Sequence, residues 1–347
     1  MSDAGLWGGL TDVPGLRVGM VADAEALTGL TVVLTEGGAV GAASVMGGAP
    51  GTFGTDPLQP LKNNEALHGV VLTGGSAFGL ASVGGVMRWL EERGIGLQTR
   101  VAPVPIVAGA VIFDLAVGAA DVRPTAEWGY RAASEAAGGP FPRGNVGAGT
   151  GATTGKWRGG LSVKGGLGTA SLSVDGGVIV AALIVVNAVG DVVNPRTRRF
   201  YATDGGFDRS LIAEARQWDR PEGFYRSAKP DSTAPENTTI GVVATNARLD
   251  KLQMARVAQQ AHLGLARAIR PVHTSGDGDA LFALSVGGDA RVDLNGTVTG
   301  VYTDVIGGAA ADAVTLAVLD ALLAAEGIAG FPAAREVLSA VPAWAGQ

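Results

Sequence analysis

The chain contains no cysteine and only three histidines in 347 residues. The absence of cysteine excludes disulfides, thiolate metal sites and a cysteine nucleophile, but it leaves the redox compartment open. The histidines, His68, His262 and His273, are far apart and form no zinc-like spacing with acidic residues, so each is expected to have an ordinary packing or surface role. The sequence therefore predicts neither a metal site nor a bound cofactor.

Charge and long apolar runs are also scarce. Charged residues make up 17% of the chain, the net charge is −6, and the 26 lysines and arginines are scattered, so no surface for nucleic acid or anionic lipid is evident. The longest apolar run, 178–186, has nine residues, about half of the ~20 that a membrane-spanning helix needs. The first residues lack the pattern of a signal peptide. We therefore expect a soluble, cytoplasmic protein without nucleic-acid or membrane partners.

Glycine, by contrast, is abundant, and 55 glycines separate short apolar runs that predict buried strands. These runs lie at 30–34, 69–75, 172–187, 238–246 and 279–287. Helical spacing marks three segments: 76–94, with Ser76 as N-cap and Gly94 at the end, 248–269, and 309–327. The last segment is apolar almost all round, which predicts burial between layers or at a subunit contact. The irregular order of strands and helices favours a layered α/β sandwich.

Two glycine-rich stretches resemble known motifs but lack residues that those motifs require. The stretch "TGATTGKW" resembles a phosphate-binding loop, but Thr150 and Trp157 stand where that motif needs Gly and Ser or Thr. The stretch "TGGSAFG" resembles a nucleophile elbow, but Phe78 stands where Gly is required. A nucleotide-binding enzyme and a serine-triad enzyme are therefore poorly supported.

The polar segment 216–237 contains three prolines and is followed at once by the β-branched run "TTIGVVATN". On composition alone, the segment is an ordinary surface loop. Threonine at a chain terminus has a chemical use, however, because its own α-amine, with a pKa of ~7.7 to 8.0, can act as general base for its hydroxyl. Such a terminus must be made by cutting the chain. Downstream, Asp277 and Asp279 flank Gly278, either as a turn or as charged partners of that threonine.

Seven ordered blocks carry a resemblance to a known enzyme family. They are "LTDVPGLRVG", "GGAPGTFGTDPL", "LTGGSAFGL", "GNVGAGTGATTGK", "KGGLGTASL", "NTTIGVVATN" and "SGDGDALFALS". Together they are similar to the L-aminopeptidase/D-esterase and β-peptidyl aminopeptidase family, which includes the aminohexanoate-oligomer (nylon) hydrolase and shares its fold with ornithine acetyltransferase. The resemblance implies an α/β fold, a four-layer α-β-β-α sandwich of the N-terminal-nucleophile hydrolase type.

The resemblance also implies a precursor that cuts itself between Asn237 and Thr238. The products are an α chain of residues 1–237 and a β chain of residues 238–347, which together form one sandwich domain. The family further implies a homo-oligomer of these α/β heterodimers, most simply a homotetramer.

Site roles follow from the same resemblance, position by position. Thr238 matches the nucleophile, Asp277 and Asp279 match a pair that holds its amine and hydroxyl, and Asn187 matches a donor to the oxyanion. Lys156 matches a lysine beside the nucleophile, and Lys164 is a second-ranked rival for that role. Among substrate-contacting positions, Phe113 stands where relatives have Tyr, and Gly109 stands roughly where β-aminopeptidases have an amine-binding glutamate.

The function that these matches imply is an aminopeptidase-like amidohydrolase, which cleaves small peptides or amides through an acyl-enzyme on Thr238 without metal or cofactor. Three alternatives stay open. The first is an endo-type hydrolase of aminohexanoate (nylon) oligomers, and the second is an acyltransferase like ornithine acetyltransferase. The third is an unprocessed, inactive binding protein.

Overall fold

The computed structural model describes residues 7–64, 66–157, 162–174, 177–194, 197, 199–203, 237–287 and 299–340. Its strands are β1 Arg17–Asp23, β2 Thr28–Val45, β3 Thr52–Phe53, β4 Leu67–Thr73, β5 Leu97–Gln98, β6 Pro103–Val104, β7 Val107–Val111, β8 Thr153–Thr154, β9 Val163–Lys164, β10 Gly166–Val174, β11 Val178–Val186, β12 Val193–Asn194, β13 Arg199–Phe200, β14 Ile240–Thr245 and β15 Ala280–Ser285. Its α-helices are α1 Ser82–Glu91, α2 Ala126–Glu135, α3 Lys251–Ala268, α4 Thr299–Ala324 and α5 Ala334–Ala340. The predicted boundary segment 216–237 lies outside the described residues except for Asn237.

One long strand, β2, joins the two halves of the main sheet. The strands run in the order β10-β11-β14-β15-β2-β4-β7-β3, and β1 also pairs with β2. The first part of β2, Leu30–Leu34, pairs with β4, whereas Val40–Val45 pairs with β15. The register shifts between these parts, where Gly38 has a φ of +77° that favours glycine. At this irregularity the chain passes from one half of the sheet to the other.

Alternation along the strands divides the apolar side chains among three clusters. In β14, Ile240 and Val242 belong to the cluster between the two sheet halves, whereas Val243 belongs to the cluster beneath α3 and α4. A third cluster lies between the other sheet half and the pair α1 and α2. Three apolar interfaces separate four layers, so the predicted α-β-β-α sandwich is confirmed.

The outer helices α3 and α4 cover the sheet half that carries β14 and β15. Helix α3 begins after Asp250, whose side chain accepts the Gln253 N–H in a capping box. Helix α4 is long and apolar enough between Tyr302 and Ala324 to span a membrane by length and composition, but it packs on α3, β10 and β11. It therefore belongs to the outer helix layer of the sandwich and packs on the sheet.

Several elements differ from their predicted bounds; the strand predicted at 30–34, for example, extends over Thr28–Val45, and the helix predicted at 309–327 begins at Thr299. The apolar pattern predicts one strand over 172–187, but β10 ends at Val174 and β11 begins at Val178, so the run spans a hairpin. The predicted helix 76–94 starts as a 3-10 turn, and Ser76 is not its N-cap because its φ is +53°. The predicted strand at 238 begins two residues later, at Ile240, although the Thr238 N–H still pairs with the Asn187 carbonyl oxygen in the register of β11 and β14.

Candidate active site

Sheet topology brings three segments together around Thr238. Because β14 runs antiparallel to β11, Asn187 at the end of β11 lies beside the residues that enter β14. Because β14 runs parallel to β15, the residues before the two strands also lie side by side, and Asn237 forms a parallel bridge with Asp277. The Thr238 N–H donates to the Asn187 carbonyl oxygen at 2.8 Å. Thr238 is buried here, with 5% of its surface exposed.

The carbonyl oxygen of Asn237 accepts two hydrogen bonds. One comes from the hydroxyl of Thr238, and the other comes from the backbone N–H of Gly278 at 3.1 Å. A side chain at Gly278 would place its Cβ 2.7 Å from Thr238 Oγ1 and 2.7 Å from the Ala49 carbonyl oxygen, so the site requires glycine there. Sequence reasoning treated Gly278 only as the spacer between two aspartates and missed its N–H.

Asp277 braces the segment that carries this N–H. Its Oδ1 accepts the Val189 N–H at 3.0 Å, and its Oδ2 accepts the Thr274 N–H at 3.0 Å and the Thr274 hydroxyl at 2.6 Å. Burial raises the pKa of Asp277, and the negative charge of Asp279 raises that pKa further, while these hydrogen bonds oppose both effects. Asp277 therefore takes up a proton at a higher pH than an ordinary carboxylate.

Asp279 holds the residue that follows Thr238. Its Oδ1 accepts the Thr239 N–H at 2.7 Å, and its Oδ2 accepts the His273 N–H at 3.0 Å. The prediction had both carboxylates contacting the amine and hydroxyl of Thr238, whereas those groups bond to Asn187 and Asn237 in the continuous chain. The reason is that the Thr238 nitrogen is here a peptide nitrogen with a single N–H.

The Asn187 side chain lies beside Lys156. Asn187 Oδ1 accepts the Thr153 N–H at 3.0 Å and lies 3.4 Å from Lys156 Nζ, and two donors on one atom identify it as the oxygen. Asn187 Nδ2 then donates to the Phe113 carbonyl oxygen across a long 3.3 Å. Because an amide nitrogen carries two hydrogens, Nδ2 has a second donor besides this long bond.

Lys164, the rival lysine, has a different position. It is fully buried in β9, and its Nζ donates to the carbonyl oxygens of Gly149, Ala152 and Gly165. Burial lowers its pKa to about 7, opposed by the charge of Asp114. Lys164 thus anchors the turn before Thr153, and Lys156 is the lysine that reaches Asn187.

The resemblance sets Gly109 roughly where β-aminopeptidases have an amine-binding glutamate, but the position of Gly109 in β7 does not fit that role. A Cβ at Gly109 would meet the Val71 carbonyl oxygen at 2.9 Å and the Val83 side chain at 3.5 Å. Val83 belongs to α1, so the side-chain position of Gly109 faces the helix layer. Phe113, in contrast, reaches the site through its carbonyl oxygen. Within the described ranges, no cluster of His, Asp and Glu is placed to hold a metal ion.

Sequence comparison places this geometry among peptidases. Residues 9–335 match the sequence profile of peptidase family S58. An uncharacterized aminopeptidase of Mycobacterium leprae is 46% identical over 93% of this chain and 92% of its own length. A 6-aminohexanoate-oligomer endohydrolase of Paenarthrobacter ureafaciens is 32% identical over 79% of this chain and 74% of its own length.

Solved structures show the same fold at lower sequence identity. The L-aminopeptidase D-Ala-esterase/amidase of Ochrobactrum anthropi, described as a variant of the Ntn hydrolase fold, superposes with a TM-score of 0.68 at 22% identity and covers 95% of this chain and 89% of its own. A β-aminopeptidase of a Burkholderia species gives a TM-score of 0.66 at 23% identity, with 98% and 96% covered. These likenesses confirm the N-terminal-nucleophile hydrolase fold.

Proposed function

The chain belongs to peptidase family S58 and is a hydrolase of peptide or amide bonds, and we propose that it processes itself between Asn237 and Thr238 and then uses Thr238 as its nucleophile. One observation carries the proposal: the Asn237 carbonyl oxygen accepts hydrogen bonds from both the Thr238 hydroxyl and the Gly278 N–H. The nucleophile and a donor for developing negative charge therefore meet at one peptide bond.

Self-cleavage begins when Thr238 Oγ attacks the carbonyl carbon of Asn237. The oxygen of that carbonyl becomes negative, and the Gly278 N–H already points at it. The C–N bond then breaks as its nitrogen takes up the proton that the Thr238 hydroxyl has given up, which leaves the Asn237 acyl group as an ester on Thr238 Oγ. Water hydrolyses the ester, giving a carboxyl group on Asn237 and a free amine on Thr238.

The new amine becomes the general base of the peptidase reaction. It takes the proton of the Thr238 hydroxyl as Oγ attacks a substrate amide, and it then gives that proton to the leaving nitrogen. Water releases the acyl group from Oγ. Asp277 and Asp279 act by positioning the backbone next to Thr238. Asp279 binds the Thr239 N–H, and Asp277 binds the Thr274 N–H in the segment that carries Gly278. These steps use no metal or cofactor.

The oxyanion of the substrate has two donors and one cation beside it. Departure of the Asn237 carbonyl frees the Gly278 N–H, which then faces the position that a substrate carbonyl would take next to Thr238 Oγ. Asn187 Nδ2 is the second donor, and Lys156 adds positive charge at 3.4 Å from the same side chain. Loss of one such donor costs about 10² to 10³ in kcat in other hydrolases.

An intact-mass spectrum of the denatured protein tests the proposal. Two masses, for residues 1–237 and 238–347, are expected. A single full-length mass from protein without amidase activity would establish the unprocessed binding protein instead. An acyltransferase would form product in proportion to an added amine acceptor rather than to water.

The aminopeptidase-like reaction is the main proposal for substrate use, because a relative at 46% identity is named an aminopeptidase. The relative named as an endohydrolase of 6-aminohexanoate oligomers, at 32% identity, supports cleavage of internal amides as the second candidate.

We also propose a cytoplasmic homotetramer of α/β heterodimers that binds neither nucleic acid nor membranes. Light scattering on the purified protein tests its assembly.

A further inference from the structure

His273 lies in the turn before Asp277 and contacts Asp279 in two ways. Its backbone N–H donates to Asp279 Oδ2 at 3.0 Å, and its ring Nδ1 lies 2.8 Å from the same oxygen. The other oxygen, Oδ1, accepts the Thr239 N–H at 2.7 Å. The carboxylate of Asp279 is thus held between His273 and the residue next to the proposed nucleophile.

The local conformation of His273 serves this double contact. Its φ is +56°, in the left-handed region that non-glycine residues seldom adopt. The ring is mostly buried, with 15% of the side chain exposed, and among the described residues its Nε2 has no hydrogen-bond partner. The polar contact of the ring is therefore directed at Asp279. Strained backbone held by its surroundings is typical of functional sites.

A second histidine stands behind the first. The rings of His262, in α3, and His273 meet edge to face, with centroids 4.7 Å apart. His262 Nε2 lies 3.0 Å from the Ser44 carbonyl oxygen, so that nitrogen carries the ring proton. Burial lowers the pKa of His262 to about 4, which keeps the ring neutral at physiological pH. His262 is therefore an uncharged side chain that packs against the His273 ring and fixes its plane.

We propose that His273 is a positioning residue for the reaction and acts through Asp279. Its N–H and its ring Nδ1–H hold the carboxylate in the orientation in which Oδ1 binds the Thr239 N–H, and this bond sets the position of Thr238. The inference rests on the proposed function, since Asp279 affects turnover only if Thr238 is the nucleophile. If His273 only filled space, the site would need the volume of its side chain but not its N–H donor.

Substitutions at residue 273 distinguish a hydrogen-bond donor to Asp279 from a side chain that only packs. His273→Asn keeps an N–H donor on the atom bonded to Cγ and tolerates positive φ. His273→Ala removes the donor, and His273→Gly removes it without backbone strain if the alanine variant does not fold. His68→Asn is the matched control, because His68 is also buried but lies in β4, where its Nδ1 accepts the Ile106 N–H.

The readouts are the fraction of chain cut at 237–238, and kcat and KM on an amino-acid p-nitroanilide per cut site. His273→Ala or His273→Gly should lower kcat about tenfold to a hundredfold with KM nearly unchanged, as for loss of one hydrogen bond to a charged group. His273→Asn should restore most of kcat, and His68→Asn should match the wild type. A melting temperature that falls while kcat stays constant, or equal kcat losses for Asn and Ala, would overturn the proposal.

A double-mutant cycle with Asp279→Asn shows whether His273 acts through that carboxylate. His273→Ala should cost little further kcat when Asp279→Asn is already present, and additive losses would contradict the inference. The two proposals fail differently. If Asp279→Asn and Thr238→Ala both retain wild-type kcat, the proposed function is wrong and the inference falls with it. If those variants are slow but His273→Ala is fast, only the inference is wrong.

Discussion

The backbone N–H of Gly278 donates to the carbonyl oxygen of Asn237 at 3.1 Å, beside the hydroxyl of Thr238. The donor belongs to the chain that precedes β15, and the acceptor belongs to the bond proposed to be cut before β14. Parallel pairing of the two strands fixes this relationship. One backbone donor can therefore serve two reactions in succession, first on the Asn237 carbonyl and later on the carbonyl of a substrate.

Gly278→Ala is expected to slow both self-cleavage and turnover. The new methyl group would lie 2.7 Å from Thr238 Oγ1 and from the Ala49 carbonyl oxygen, so the nucleophile or the backbone must move. We expect a loss of at least about tenfold in kcat, because small displacements of reacting groups have large effects. Gly276→Ala is the control, since a methyl group there meets no atom closer than 3.9 Å. Equal rates for the two variants would remove Gly278 from the mechanism.

Thr238→Ala should leave one full-length chain without amidase activity, because the same hydroxyl cuts the chain and attacks the substrate. Thr238→Ser keeps a hydroxyl and should retain part of both activities. Thr239→Ala is the control: Thr239 is also buried, and its hydroxyl has no hydrogen-bond partner among the described residues. Denaturing electrophoresis and N-terminal sequencing measure the cut. Cleavage and hydrolysis by the alanine variant at residue 238 would show that another residue is the nucleophile.

Asp277→Asn and Asp279→Asn should reduce kcat far more than the melting temperature. Burial and the nearby Asp279 charge raise the pKa of Asp277, so its carboxylate form is costly in the fold and contributes little to stability. The same shift predicts that kcat falls with acidification at a higher pH than an ordinary aspartate would give, as Asp277 takes up its proton. The Asp277→Asn enzyme should lack that part of the pH profile. Unchanged kcat with a lowered melting temperature would mean that the aspartates form only a turn.

Much of the site could be predicted from the sequence because its residues lie in short motifs at strand ends. Asn187 ends an apolar run, Thr238 begins one, and Asp277 and Asp279 precede another, so the sheet brings them together. The resemblance implies their roles, which the experiments above test. Thr238 and Asn187 do meet, through the Thr238 N–H and the Asn187 carbonyl oxygen.

Contacts that depend on register or strand face could not be predicted. A shift of one residue moves a strand side chain to the opposite face. The resemblance locates Gly109 only to within about one residue, so it predicts a position at the substrate, whereas the structure shows one against α1. The Gly278 donor is a backbone N–H, which no residue type reveals. The bond from His273 to Asp279 depends on a positive φ that histidine seldom adopts.

Lys164 should make stability depend on pH in a defined direction. In the unfolded chain its pKa is the ordinary 10.5, whereas burial lowers it to about 7 in the fold. Between these values the unfolded chain binds more protons, so the Lys164 contribution to the free energy of unfolding rises as pH rises from about 7 to 10.5. Denaturant titrations of the wild type and Lys164→Met across this range measure the difference. A difference that stays constant with pH would show that Lys164 remains protonated in the fold.

Both carboxylates nearest Thr238 are already engaged: Asp277 binds Val189 and Thr274, and Asp279 binds Thr239 and His273. In the described part of the chain, neither is therefore left to grip the free amine of a substrate. Such a charge-assisted contact contributes roughly 1.5 to 3 kcal/mol, or about tenfold to over a hundredfold in discrimination.

We therefore expect only a modest preference for free-amine substrates, together with some cleavage of N-blocked or internal amides such as those of aminohexanoate oligomers. The measurement compares kcat/KM for the p-nitroanilide of an amino acid with kcat/KM for its N-acetyl derivative, using Thr238→Ala as the blank for both. A ratio below about a hundredfold fits a site without a dedicated amine-binding acid. A ratio above about a thousandfold would mean that an acidic group does bind the substrate amine, and the chain would then be a strict aminopeptidase.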